Sequence, residues 1–163
     1  MQQNVPEFDQ LIKALRSEDV RFVVVGGLAL ILHGASYVTF DFDFAVSREQ
    51  EIAAAIVRAL APFHPFPPEY GSAEHFVWDE RSIVGAVIPL VTDAGHIDML
   101  REQPGVDSFE GLWERSETRM VAGLDIHVAS LDDLIAMKEA ANRPKDREHL
   151  MQLRALKALQ ERE

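Results

Sequence analysis

Residues 38–46 constrain the fold of this chain more than any other stretch, because polar and aromatic residues alternate along them. Alternation with a period of two is typical of a β-strand that buries one of its faces. The pattern predicts two faces: Phe40, Phe42 and Phe44 on the buried one, and Thr39, Asp41 and Asp43 on the other. Neighbouring carboxylates on one face repel each other and disfavour a strand, so this pair costs stability unless a cation binds to it.

The two aspartates suit a metal site built from hard oxygen ligands. Residues two apart on a strand lie roughly 6.5–7 Å apart, and carboxylates converging from that distance can hold one or two divalent cations. Asp98 lies in the strand pattern of residues 96–100, on a common face with His96, and is the expected third acid. Three other acids are alternative third ligands: Glu74, Asp79 and Asp93. The structural alternative is an edge strand with two solvated aspartates.

The first half of the chain predicts alternating helices and strands. Residues 8–16 have helical spacing, and residues 21–25 form a β-branched run that ends in the glycine turn Gly26-Gly27. A short buried helix follows over residues 28–33. Ser47 and Gln50 resemble a capping box, which predicts a helix over residues 48–60.

The second half predicts further strands and then two helices. Residues 62–68 contain four prolines and are expected to be irregular. Strands are predicted at residues 76–78, 83–91, 96–100 and 124–128; helices are predicted from a Ser130 cap to residue 142, and from Pro144 onward. The expected fold is α+β or α/β: a single domain over residues 1–163, with a mixed sheet flanked by helices and a helical C-terminal segment over residues 130–163.

Composition excludes several classes of protein. The net charge of −11 argues against a general duplex-binding protein, which needs clustered basic residues. The chain has no cysteine, so disulfides and thiolate zinc sites are excluded. The sequence contains no apolar stretch of about 18 residues, so no membrane span is predicted. The N-terminus lacks the pattern of a signal peptide, and we expect a cytoplasmic protein.

Two parts of the chain resemble a known family. Val25-Gly26-Gly27, followed after thirteen residues by Asp41-Phe42-Asp43-Phe44, resembles the signature of the polymerase-beta-type nucleotidyltransferase superfamily. Residues 26–43, together with residues 130–138 and 142–146, are similar to the AbiEii-like and other small bacterial nucleotidyltransferases. This resemblance covers roughly residues 20–156.

The resemblance implies the nucleotidyltransferase fold and a Mg²⁺- or Mn²⁺-dependent transfer of a nucleoside monophosphate from an NTP to a hydroxyl group. Asp41 and Asp43 would bind both metal ions, and Asp98 would bind the catalytic one. Nucleotide contacts are expected from a further set of residues: Gly26, Gly27, Thr39, Lys138 and Lys145. The acceptor would be a tRNA, a protein or a small molecule, and toxin-type relatives suggest an antitoxin protein as partner.

Other interpretations remain open from the sequence. Tyr37 occupies a place where relatives often carry an arginine, which favours an inactive module of the same fold that acts through protein binding. Lys138 is alternatively a solvated helix residue. A phosphohydrolase with an aspartate nucleophile is the third interpretation. It is disfavoured because such enzymes carry the Asp-x-Asp motif after their first strand, near the N-terminus. They have no strand and Gly-Gly unit before the motif, whereas this chain does.

Overall fold

The computed structural model describes residues 8–162, which form a six-stranded mixed sheet with helices packed against it. The strands are β1 (Val23–Val25), β2 (Asp41–Ala45), β3 (Val87–Thr92), β4 (Gly95–Leu100), β5 (Glu117–Val121) and β6 (Leu124–Val128). The α-helices are α1 (Phe8–Ser17), α2 (Gly26–Leu32), α3 (Gln50–Leu60), α4 (Phe109–Arg115), α5 (Leu131–Ala141) and α6 (Asp146–Glu161). The predicted α+β class, with a mixed sheet flanked by helices, is confirmed.

The strand order is β3-β4-β2-β1-β6-β5. In the centre, β2 runs antiparallel to β1 and parallel to β4, and β1 runs parallel to β6. The edge strands β3 and β5 pair antiparallel with β4 and β6. The short strands β1 and β2 therefore lie in the middle, where neighbours on both sides hold their backbones in place.

One face of β2 forms the centre of the hydrophobic core. Phe42 and Phe44 are fully buried, and their rings contact Phe22 and each other. Phe8 of α1 packs on Phe42 with ring centroids 5.6 Å apart, and α1 lies against α3. The opposite face of β2 consequently presents Asp41 and Asp43 away from this core.

Phe40 does not join the core, contrary to the prediction. The strand begins only at Asp41, and Phe40 is 80% exposed. Phe40 lies before the first residue that pairs with β4, so no neighbouring strand holds its side chain against the helices. The alternating sequence pattern therefore extends to residues that lie before the start of β2.

Two predicted caps and turns differ from the structure. α3 begins at Gln50 with Glu49 as the preceding residue, and no side chain caps it; the predicted capping box of Ser47 is wrong. Gly26 and Gly27 are the first residues of α2 rather than a turn before it. The strand thus passes into the helix without an intervening loop.

Further corrections concern the second half of the chain. Residues 76–78 form no strand: Trp78 instead donates its indole N–H to the Val57 carbonyl at 2.9 Å. β3 begins at Val87, four residues later than predicted, and α6 begins at Asp146 rather than at Pro144. α4 and β5 were not predicted, because neither has a marked periodic pattern of apolar residues.

The two last helices form a pair. Ser130 caps α5 as predicted, since its hydroxyl accepts a hydrogen bond from the Asp133 N–H at 3.1 Å. α5 and α6 pack against each other, and Leu134 and Leu153 belong to the core. None of the helices within residues 8–162 is long and apolar enough to cross a membrane.

Candidate active site

Strand register brings Asp43 and Asp98 together. Asp43 of β2 is paired with Asp98 of β4, and on its other side with Val25 of β1. Adjacent strands lie about 4.8 Å apart, and paired residues share a face. Two carboxylates from positions 55 residues apart in sequence therefore meet on one face of the sheet.

The environment of Asp43 disfavours its negative charge. Burial and the neighbouring charges of Asp98 and Asp41 raise the pKa of Asp43 to about 7. Its Oδ1 atom is buried and has no hydrogen-bond partner among the residues that the structure describes. Burial, together with the charge of Asp41, also raises the pKa of Asp98. A bound cation would relieve both the repulsion and the unpaired oxygen.

Gly26 is required by its contact with Asp43. Its φ is +67°, a region that glycine adopts readily, and a Cβ there would lie 2.9 Å from the Asp43 Cγ. Gly27 is crowded in the same way: a Cβ would lie 2.6 Å from the Tyr37 ring and 2.9 Å from the Thr39 hydroxyl. The two glycines thus let the chain pass directly beneath the side chains of Asp43, Tyr37 and Thr39.

Asp41 and Thr39 lie at the outer end of the same strand. Asp41 is exposed and paired with His96, and the Thr39 hydroxyl donates to the Asp41 carbonyl at 3.0 Å. Thr39 thus holds the start of β2, and its predicted nucleotide contact stays a prediction. Within residues 8–162, no three His, Asp or Glu side chains are already arranged as a metal site. The charge of Asp41 is close enough to raise the pKa of Asp43 and of Asp98, but Asp41 does not complete a metal-ligand set with them.

A cavity of about 560 Å³ opens above the two carboxylates. Its walls come from two sides: the sheet contributes Val25, Gly26, Asp43 and Asp98, and α5 contributes Leu134, Met137 and Lys138. Leu134, Met137, Lys138 and Ala141 have the spacing of a single helix face, which explains why they line the cavity together. The volume is within the range of small-molecule sites.

Lys138 and Arg143 line this cavity, and both donate hydrogen bonds to the carboxylate of Asp146. Lys138 Nζ donates to Asp146 at 3.1 Å, and Arg143 donates through Nε at 2.8 Å and Nη2 at 3.1 Å. Burial alone would raise the pKa of Asp146, but the hydrogen bonds from Arg143 and Lys138 outweigh it and lower that pKa to about 2. The ionised Asp146 therefore holds two positively charged side chains, Lys138 and Arg143, at the wall of the cavity.

Lys145, predicted to contact the nucleotide, is exposed at the start of α6, and its charge offsets part of the rise that burial causes in the pKa of Asp98. It lies near the acids without lining the cavity. The alternative third acids lie elsewhere: Asp93 contacts His64 at 2.6 Å, Asp79 caps a short 3₁₀ turn, and Glu74 is exposed. Of these four acids, Asp98 is the one that strand register places beside Asp43.

The sequence reasoning missed the role of Asp146. The pattern Arg143-Pro144-Lys145-Asp146 by itself indicates a helix junction, where a carboxylate caps the helix or pairs with the adjacent lysine. What distinguishes Asp146 is its burial, since it is only 1% exposed, and a short sequence motif does not reveal burial.

Tyr37, the residue in place of an arginine, packs over Gly27 and edge-on against His149, with the ring centroids of Tyr37 and His149 4.8 Å apart.

The fold and site define a class of protein. The crystal structure of a Thermotoga maritima protein classed provisionally as a nucleotidyltransferase is similar to this chain. The TM-score is 0.57 at 19% identity, over 90% of this chain and 91% of that one. The sheet and its helices therefore have a nucleotidyltransferase-like fold.

The sequence identifies the family. A family model described as "Nucleotidyltransferase of unknown function (DUF6036)" matches residues 3–160, and the chain belongs to this family. No curated protein matches the chain in sequence. The predicted membership of the nucleotidyltransferases is thus confirmed, whereas the AbiEii-like resemblance stays a prediction.

Proposed function

We propose that this chain transfers a nucleoside monophosphate from an NTP to a hydroxyl acceptor, with Mg²⁺ or Mn²⁺ as cofactor. The observation that carries the proposal is the Asp43–Asp98 pair at the floor of the cavity, where a buried oxygen of Asp43 has no hydrogen-bond partner within residues 8–162. Such a pair costs stability unless something positive binds to it. Family membership supports nucleotidyl transfer as the general reaction.

The residues fit a divalent cation in chemistry. Asp43 and Asp98 offer hard oxygen atoms, and the charge of Asp41 reaches both of them. Asp43 and Asp98 are therefore proposed metal ligands, and Asp41, which within residues 8–162 does not form a ready ligand set with them, is the proposed third ligand. A bound Mg²⁺ would supply positive charge to the phosphate oxygens and lower the pKa of an attacking hydroxyl.

In the proposed reaction, the acceptor oxygen attacks the α-phosphorus of the NTP. The bond from that phosphorus to the oxygen bridging to the β-phosphate breaks, and pyrophosphate leaves with the electron pair. Asp98 takes the proton of the acceptor hydroxyl, a role open to a carboxylate that lies beside the attacking oxygen. Lys138 and Arg143, held by Asp146, carry positive charge toward the phosphates at the cavity wall.

Gly26, which lines the cavity beside Asp43, and Gly27 are the proposed backbone contacts of the substrate phosphates. Thr39 and Lys145 complete the proposed nucleotide contacts from the outer end of β2 and the start of α6. The proposed acceptor is a tRNA, a protein or a small hydroxylated molecule. An antitoxin protein is a proposed partner of this chain, as the resemblance to toxin-type proteins suggests. The −11 charge favours acceptors other than nucleic acid.

The test is incubation of the chain with each α-³²P-labelled NTP and Mg²⁺, in parallel with tRNA, protein lysate and aminoglycosides. We expect label in one acceptor fraction and equimolar release of pyrophosphate. Asp43→Asn should abolish the labelling, whereas Asp125→Asn, an exposed change on β6, should leave it intact.

Calorimetric titration of NTP with and without Mg²⁺ separates this proposal from its alternative. Absence of Mg²⁺-dependent NTP binding by the wild-type chain would contradict nucleotidyl transfer and favour the non-catalytic module suggested by Tyr37. In that event Asp43→Ala would have no functional effect, and capture of a protein partner would become the informative assay.

A further inference from the structure

The face of the sheet that carries the acids continues into an apolar row. Two residues beyond Asp98 on β4 lies Leu100, which is paired with Ala45 of β2 and Val87 of β3. Residues two apart on a strand share a face and lie roughly 6.5–7 Å apart. A row of Ala45, Leu100 and Val87 therefore runs beside the row of Asp43 and Asp98.

The cavity extends over this apolar row and not over the opposite one. Val87 and Leu100 line it, whereas Asp41 and His96, which lie on the other side of the acids, do not. Met137 and Ala141 of α5 and Pro104 form the remaining apolar wall. Val87 is 52% exposed, so this apolar surface is open to a ligand.

The apolar wall is held in position before any ligand binds. Gln103 donates from Nε2 to the Leu100 carbonyl at 2.8 Å and to the Val46 carbonyl at 3.2 Å. Gly105 has a φ of +98°, and a Cβ there would overlap the Ala136 backbone carbonyl of α5. Pro104, between these two residues, is therefore fixed between the sheet and the helix.

This wall offers few groups that could read the edge of a base. Glu102 is the charged side chain that lines this part of the cavity within the described chain, and it is paired with Arg48 at 2.9 Å. The other side chains named here, Val87, Leu100, Pro104, Met137 and Ala141, can contact a flat ring by dispersion alone. Selection of one base over another requires hydrogen-bonding groups that a site leaves unpaired with the wrong base.

We propose that the nucleobase of the NTP lies against the apolar wall formed by Val87, Leu100, Pro104 and Met137, and that this wall accepts all four bases. The proposal rests on the function proposed above, since it takes the phosphates to lie at Asp43 and Asp98. Continuity of the apolar and acidic rows within one cavity favours the base as the occupant. An acceptor molecule in the same place is the competing outcome.

The experiment compares NTPs with inorganic tripolyphosphate, which carries the phosphates without a base. Calorimetric titrations with Mg²⁺ would measure ATP, GTP, CTP, UTP and tripolyphosphate on the wild-type chain and on Val87→Asn and Met137→Ala. Val84→Asn is the matched control, because Val84 is exposed on the same segment but does not line the cavity. Circular dichroism would establish that each variant is folded.

We expect the four NTPs to bind within about threefold of one another, and Val87→Asn and Met137→Ala to weaken each of them by about fivefold. Tripolyphosphate binding should change by less than about twofold in both variants, and Val84→Asn should change neither ligand. Unchanged NTP binding in both variants would overturn the base position and leave the wall to the acceptor. A preference above about thirtyfold for one base would overturn the lack of selectivity. If neither NTP nor tripolyphosphate binds the wild-type chain, the proposed function is wrong and the inference falls with it.

Discussion

Gly26 and Asp43 lie in such close contact that the backbone of one leaves no room for a side chain against the carboxylate of the other. A Cβ at Gly26 would lie 2.9 Å from the Asp43 Cγ, and the two residues belong to adjacent central strands or their direct continuation. The position of the candidate catalytic carboxylate therefore depends on a glycine seventeen residues earlier in the chain.

Gly26→Ala should displace the Asp43 side chain and lower both stability and Mg²⁺-dependent NTP binding. The matched control is Gly71→Ala: its φ of +73° is close to the +67° of Gly26, but a Cβ there meets nothing within 4 Å. Both variants lose roughly 1–2 kcal/mol from the left-handed backbone. Gly26→Ala should lose a further 1–3 kcal/mol, on the order of an overpacked site, in urea unfolding. Equal losses in the two variants would contradict the contact with Asp43.

Asp43→Asn should stabilise the metal-free protein at alkaline pH. The pKa of Asp43 is raised to about 7, so below that pH the folded chain keeps a proton that the unfolded chain, with a pKa near 3.8, has released. The stability from this group is fully present below about pH 3.8, falls progressively as the pH rises, and is lost once the pH passes about 7. We expect Asn to be more stable than Asp by roughly 1–3 kcal/mol at pH 8, and by about a third of that amount at pH 5.

Urea unfolding in EDTA would measure this difference at both pH values, with Asp125→Asn as an exposed control on β6. A stabilisation of the same size at pH 5 and pH 8 would mean that Asp43 does not titrate between them. Carboxylates remote from the site cancel in the comparison, whereas Asp98, which interacts with Asp43, contributes to the same difference.

Asp146→Asn should destabilise the chain and misplace Lys138 and Arg143. The buried, ionised Asp146 accepts hydrogen bonds from both cations, and its loss leaves them without their partner. Breaking a buried pair costs about 3–5 kcal/mol, so we expect a loss near the lower end for a site with exposed Arg143. Glu139→Gln is the control, since it removes an exposed pair with Arg154 between the same two helices. That control should change stability by less than about 0.5 kcal/mol.

A positioning role for Asp146 would be visible beyond stability. Asp146→Asn should weaken NTP binding at 15 °C under conditions where circular dichroism shows the variant folded, whereas Asp146→Glu should restore part of the affinity. A folded Asp146→Asn variant with wild-type NTP affinity would assign the residue a structural role alone.

Phe42→Ala and Phe40→Ala should differ sharply, although the residues are two positions apart on the same strand pattern. Phe42 is fully buried, and its truncation should cost about 3–5 kcal/mol through lost contacts and a cavity. Phe40 is 80% exposed and should change stability by less than about 0.5 kcal/mol. Thermal unfolding of both variants would measure the contrast, and similar losses would place Phe40 in the core after all.

Much of the candidate site was predictable from local patterns. The buried strand before Gly26, the alternating strand with Asp43, and the strand of Asp98 are each visible as short periodic runs, and all three form in the structure. Local reasoning was wrong about Phe40 and about residues 76–78, where tertiary packing decides whether a strand-like pattern finds a partner. It missed β5 because half-exposed polar strands carry a weak pattern.

The amino-acid sequence by itself determined which residues of β2 face the core and which face away, because that choice follows from a period of two along the backbone. Only the tertiary structure decided that Asp98 is the acid beside Asp43, since strand register joins residues far apart in the chain. It also decided that Asp146 is a buried carboxylate holding Lys138 and Arg143. The physical reason is the same in both cases: burial and the pairing of distant charges arise when separate elements pack, and no single segment contains them.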